Sequence, residues 1–153
     1  MHIHPRSRQR GVTLIESAIA LAVVAVAATT AAPGLQDLVV RKRLEGVAAQ
    51  LATELQAVRS EAVARNAALR VSFHADPGGS CVVVHTGAKA LCNCSAAAPA
   101  NCTGDALLLR ATYLPVEQKV GVSASAGSIL FDPLHGTSTP AATVRVTAAP
   151  GAI

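Results

Sequence analysis

Aromatic side chains are almost missing from this 153-residue chain, which has no tryptophan, one tyrosine and two phenylalanines. Single-stranded nucleic acid therefore finds no stacking platform on it. Charge is scarce as well, at 14% of residues, where ordinary soluble domains carry about 25%. The formal net charge of +4 suggests a polyanion partner, but Arg6, Arg8 and Arg10 supply most of it. From Val12 onward, thirteen basic residues less those three leave ten to face nine acids, and ten against nine is no electrostatic footprint for DNA. Catalytic groupings are absent too. His74, His85 and His135 fall at the ends of predicted strands or in turns, as surface or turn histidines, with no serine elbow, paired carboxylates or phosphate-cradling glycine loop beside them. The chain is expected to be no enzyme and to carry no cofactor. Its length allows one domain and an appendage.

What is present begins with a run of 21 residues, Val12 to Ala32, whose one charge is Glu16. At about 1.5 Å per residue, a helix of that length spans the roughly 30 Å hydrocarbon core of a bilayer. The acid-free basic segment before it, residues 1–11, reads as the side held in the cytoplasm. Arg41, Lys42 and Arg43 beyond the run reduce that bias. The run is rich in alanine and has leucine only at positions 14 and 21, so it is weakly held in lipid. A secretory signal cleaved in the Ala-rich stretch 27–32 is the alternative.

Beyond Pro33-Gly34, which are expected to kink or loosen the junction, Leu44, Val47, Ala48, Leu51, Leu55, Val58 and Ala62 recur at helical spacing. The pattern predicts one long helix from Val12 to about Arg65, with Asn66 at its end. Arg59, Glu61 and Arg65 read as a solvated face with local pairs. After residue 68 the period becomes two. Strands are predicted at 69–73, 81–85, 107–110, 120–123, 128–131 and 143–147, separated by Pro77-Gly78-Gly79, Pro99, Asp132-Pro133 and His135-Gly136. The expected fold is α+β: a long N-terminal helix, half transmembrane, packed on a small antiparallel β-rich head.

Cys81, Cys92, Cys94 and Cys102 allow three disulfide pairings. A Cys92–Cys94 bond would close a strained tiny ring, which leaves the sequential and the crossed arrangements. A loop of about 10 to 15 residues is worth roughly 3 kcal/mol, pinning the irregular Ala/Ser/Pro stretch between Ser95 and Asn101. A metal held by Cys92, Cys94, His85 and Cys102 fits poorly, because zinc knuckles are spaced more widely.

The segment Arg10-Gly-Val-Thr-Leu-Ile-Glu-Ser17 resembles the class III leader of type IV prepilins and pseudopilins. The likeness implies cleavage by prepilin peptidase between Gly11 and Val12, N-methylation of Val12 in place of the usual phenylalanine, and retention of the apolar helix. Glu16 would be the fifth mature residue, whose carboxylate meets the new α-amine of a neighbouring subunit during assembly, and Pro33 the twenty-second, where this superfamily often has proline. Leu51 to Asn66 followed by Leu69-Arg-Val-Ser-Phe73, and later Ile129 to Gly136 with Thr143-Val-Arg-Val146, resemble the GspH/FimT group of minor pilins and pseudopilins. The implied division is a leader over 1–11, a transmembrane and assembly helix over 12–32, its amphipathic continuation over 33–67 and a pilin-like lollipop head over 68–153. The implied protein is a structural subunit of a type II secretion pseudopilus or a type IV pilus, since both share this leader and head. It would sit in the bacterial inner membrane as a single-pass protein with its head in the periplasm, and its partners would be other pilins or pseudopilins. DNA-binding members carry a C-terminal Gly-Arg-x-Arg strand, which is missing before the chain ends at Ile153, so DNA is not an expected partner. The alternative function is a membrane-anchored periplasmic binding or thiol-redox module using the Cys81–Cys102 region.

Overall fold

The computed structural model describes residues 13–95 and 98–148, with side chains for all of these except 30–34 and 36. Helix α1 spans Leu14–Arg65. At its start Thr13 Oγ1 accepts the amide of Glu16 at 3.4 Å, and the Thr13 carbonyl accepts the amide of Ser17. This is one half of the Thr-x-x-Glu capping arrangement. At its end Asn66 takes φ 49°, its amide bonds the carbonyl of Val63, and the amide of Ala67 reaches back to Ala62. Those two bonds form a Schellman cap, which needs a left-handed residue where asparagine stands. The helix thus ends where the sequence places its end.

The described residues fall into two compact units, one ending at Asp37 and the other beginning at Leu38. In the second unit, residues 38–65 of the helix go with nine strands: β1 Leu69–Asp76, β2 Gly79–His85, β3 Cys92–Ser95, β4 Ala98–Cys102, β5 Leu108–Pro115, β6 Val120–Ala124, β7 Ser128–Phe131, β8 Ser138–Thr139 and β9 Val144–Ala148. All pairings are antiparallel. A five-stranded sheet runs in the order β5-β2-β1-β7-β8, and β3–β4 and β6–β9 form two separate ribbons. The α+β architecture with an antiparallel β-rich head is therefore present, and each of the six predicted strands has its counterpart.

Alternation along β1 and β2 divides the sheet into two chemically distinct faces. Leu69, Val71, Val82 and Val84 join Leu114, Ile129 and Phe131 against Leu51, Val58 and Ala62 of the helix. The other face carries Cys81 and Val83, which pack with Cys92, Cys94 and Ala106. Along the helix, burial deepens toward the C-terminal end. Val58 and Ala62 are fully buried, Leu44 and Val47 are half-buried, and Ala48 is exposed.

Two expectations need correction. The stretch from Ser95 to Asn101 is not irregular, since its described residues belong to the ends of β3 and to β4. Ala, Ser, Asn and Pro have low strand propensity, and cross-linking by sulfur overrides it here. Nor are the acids of the helix merely solvated. Glu61 is only 19% exposed and binds both Arg65, at 2.6 Å, and Arg110 of β5, at 2.9 Å. Glu54 likewise accepts from Thr112 of β5 at 3.4 Å. The local Glu61–Arg65 pair is there as expected, but the contact with β5 depends on strand placement that helix periodicity does not report.

Candidate functional site

Leu14, Ile15, Ile19, Leu21, Val23, Val24 and Val26 are each at least 60% exposed. A helix that is apolar on every side has no solvated face and is satisfied only by lipid or by other apolar helices. Its polar groups are directed inward: Ser17 Oγ donates to the carbonyl of Leu14 and Thr29 Oγ1 to that of Val26, each at 2.9 Å. Such back-bonding removes hydroxyl donors from an apolar surround. Glu16 is exposed, and its carboxylate has no hydrogen bond or ion pair among the described residues. Among the described residues no helix is long and apolar enough to cross a membrane. The described side chains of this run stop at Thr29, so residue 12 and residues 30–32 of the predicted span lie outside them. Gly11 and Val12 lie outside the described residues, and so does the side chain of Pro33.

The four cysteines form Cys81–Cys94 and Cys92–Cys102, and none is free. This is the crossed arrangement. Cys92 and Cys102 face each other in the register of β3 and β4. Cys94, two residues along β3, reaches Cys81 of β2 and fastens the ribbon to the sheet face opposite the helix. With the sulfurs consumed, the cysteine-based metal set is removed, and the described residues hold no group of three or more His, Cys, Asp or Glu placed for a metal.

The histidines take three different positions. His85 is fully buried rather than at a surface or turn. Its Nδ1 lies 2.8 Å from the carbonyl of Thr86 and its Nε2 2.8 Å from Ser72 Oγ. A carbonyl only accepts, so Nδ1 carries the proton and Ser72 donates to Nε2. A serine beside a histidine resembles a nucleophile and its base, but Ser72 is itself fully buried and the imidazole is oriented by a carbonyl, not a carboxylate. The pair satisfies two polar groups inside the sheet's second face. Arg70 continues the row, donating to Ser128 Oγ at 3.0 Å and to the carbonyl of Gly87. Among the described residues His74 of β1 holds Nε2 buried with no hydrogen-bond partner; burial, then the charge of Lys89, hold its pKa below the ordinary value. His135 lies in the exposed turn before β8, where Asp132 Oδ1 accepts the amides of His135 and Leu134 at 2.9 Å. Those bonds, the one from His135 foremost, keep the Asp132 carboxyl below its usual range.

A family model described as Type II transport protein GspH matches residues 47–153, and the prokaryotic N-terminal methylation motif matches residues 6–32. The chain belongs to the GspH family. It is a minor pseudopilin or pilin, a membrane-anchored subunit of a pilus-like assembly that works alongside other pilins or pseudopilins, and the family is a structural one. No curated protein and no solved structure matches it. Within this GspH-family chain, the sequence indicated the apolar helix and the cysteines but missed three structural contributors. Thr13 was legible, as the first residue of a Thr-x-x-Glu cap. Ser72 and Tyr113, whose hydroxyl accepts the amide of Ala100 of β4, carry no local signal, because their partners come from other strands.

Proposed function

We propose that this pseudopilin is made with a leader over residues 1–11, cleaved by prepilin peptidase after Gly11 and methylated at Val12, and that it enters a type II secretion pseudopilus from the inner membrane. Residues 12–32 form the single span and assembly helix, with the head in the periplasm. Residues 33–67 continue that helix and 68–153 complete the head. The subunit is structural and catalyses no reaction. The observation that carries the reading is the exposed apolar stretch of α1 from Leu14 to Thr29, whose one acid, Glu16, has no partner for its carboxylate among the described residues. A charge there is costly in hydrocarbon, about 2.5–3.5 kcal/mol at a helix centre on insertion scales, and less near an interface and the positive end of the helix dipole. The α-amine freed at Val12 of a neighbour is its natural counter-charge, and Pro33 marks the junction at the far end of the assembly segment.

Two measurements test this. Mass spectrometry of the mature N-terminus should find N-methylated Val12; a chain beginning at Met1, or near Ala32, contradicts the processing scheme. Glu16→Ala should leave leader cleavage and membrane insertion intact while blocking recovery in sheared filaments. Incorporation equal to wild type would reduce Glu16 to an interfacial acid without a partner.

A further inference from the structure

The two disulfides of the head differ in access. Cys81, Cys92 and Cys94 expose 1%, 2% and 6% of their surfaces, whereas Cys102, at the end of β4, is half-buried. Of the four cysteines, Cys102 is thus the residue most open to an incoming thiolate. The Cys92–Cys102 bond closes the base of the β3–β4 ribbon, where the two residues are directly paired. Cys81–Cys94 lies between that ribbon and β2, in the cluster formed with Val83, Cys92 and Ala106. A nucleophile must approach one sulfur of a disulfide directly, and Cys102 is the one cysteine of the four that is not buried.

Resting on the periplasmic head proposed above, we propose that Cys102 is the point at which an extracytoplasmic dithiol oxidoreductase engages this protein, so that the Cys92–Cys102 bond is opened before, and separately from, Cys81–Cys94. In the reducing direction the enzyme's thiolate attacks Cys102 Sγ and the Cys92 thiolate leaves, giving a mixed disulfide. The enzyme's second thiol then attacks its own sulfur in that bond, and the Cys102 thiolate departs. Two electrons and two protons pass from the dithiol to the cysteine pair, and the dithiol becomes a disulfide. Oxidative closure is the same sequence reversed. β4 pairs with β3 alone among the described strands, and on it the amide of Ala100 is held by the Tyr113 hydroxyl, which leaves the end of the strand at Cys102 as the approach to the bond. The pseudopilin is the substrate of this exchange, and it catalyses none itself.

One competing entry exists. Cys94 borders a shallow groove of about 290 Å³ on the ribbon, together with Leu91, Asn93, Pro99 and Asn101. Attack from that side would open Cys81–Cys94 first.

The experiment uses the purified full chain in detergent, treated with dithiothreitol as the dithiol and quenched with a mass-tagging maleimide, with peptide mapping of the tags. A species tagged at Cys92 and Cys102, with Cys81–Cys94 intact, should accumulate before the four-tag form. In a Cys92→Ala/Cys102→Ala variant, Cys81–Cys94 should be reduced about tenfold or more faster than in wild type, because the β3–β4 ribbon that carries Cys94 is no longer closed by a bond of its own. First tags at Cys81 and Cys94, or passage from zero to four tags without an intermediate, would overturn the proposal. The wild-type measurement decides it even if the variant fails to fold.

Discussion

Truncating Val58 and truncating Leu44 should have opposite consequences from those that side-chain size suggests. Both belong to the apolar stripe of α1, and by periodicity alone they are equivalent. Val58 is 0% exposed and packed in the cluster that includes Val71, Val84 and Phe131, so Val58→Ala removes two buried methyls at about 0.8 kcal/mol each. The cavity left behind raises the cost to about 2–3 kcal/mol, since a helix fixed on five strands cannot collapse into it. Leu44 is half-buried and lines an open groove of about 410 Å³ between the helix and β9, beside Leu51, Val144 and Val146. Leu44→Ala deletes more atoms but removes surface that is already partly wet, and should cost about 1 kcal/mol or less. With domain stabilities of about 5–15 kcal/mol, the first change is plain in a denaturant titration of the full chain in mild detergent, followed by circular dichroism, and the second is slight. The midpoint should fall at unchanged slope. Equal costs for the two variants would show that the stripe is buried along its whole length, and the graded packing described here would be wrong.

Further outcomes follow from the polar contacts. Glu61→Gln should destabilise the head by about 1 kcal/mol or less, since the pair with Arg110 is partly solvated, and a double-mutant cycle with Arg110→Met should give a nonzero coupling; additivity would exclude the bridge. Ser72→Ala should cost about 1–3 kcal/mol by leaving His85 Nε2 buried without its donor, measured as a drop in unfolding free energy, whereas a neutral result would place water or another donor at that nitrogen. Because His74 has a pKa held below 6.5 by burial, the folded head prefers the neutral ring. Its stability is whole above 6.5 and should decline as pH falls below that value, where the unfolded chain takes up the proton first; His74→Gln should flatten this part of the melting-temperature profile. Asp132 acts in the same direction at lower pH. Its carboxyl, held below 3.8 by the turn amides, contributes stability above that value that is lost as pH falls through the folded pKa, and Asp132→Asn should remove the acid limb that belongs to this group.

The amino-acid sequence by itself determined the elements that local chemistry controls. The apolar run before Pro33 needs no tertiary context to declare itself, because hydrophobicity sustained over a whole helix is a property of adjacent residues. The end of α1 at Asn66 and the strand segments 69–73, 81–85, 120–123 and 128–131 also follow from period and turn chemistry, although β1 runs on to Asp76 and β2 begins already at Gly79. Tertiary structure decided what depends on residues far apart. Which cysteines pair was open between two arrangements, because separations of 13 and 10 residues in the crossed one and of 11 and 8 in the sequential one differ too little in closure entropy to choose; the register of β3 against β4 and their placement over β2 make the choice. Glu61 became a bridge to Arg110, and His85 the buried acceptor of Ser72, for the same reason: each partner arrives on another strand. The helix stripe gave the direction of burial, and only the sheet beneath it set how deep each position lies.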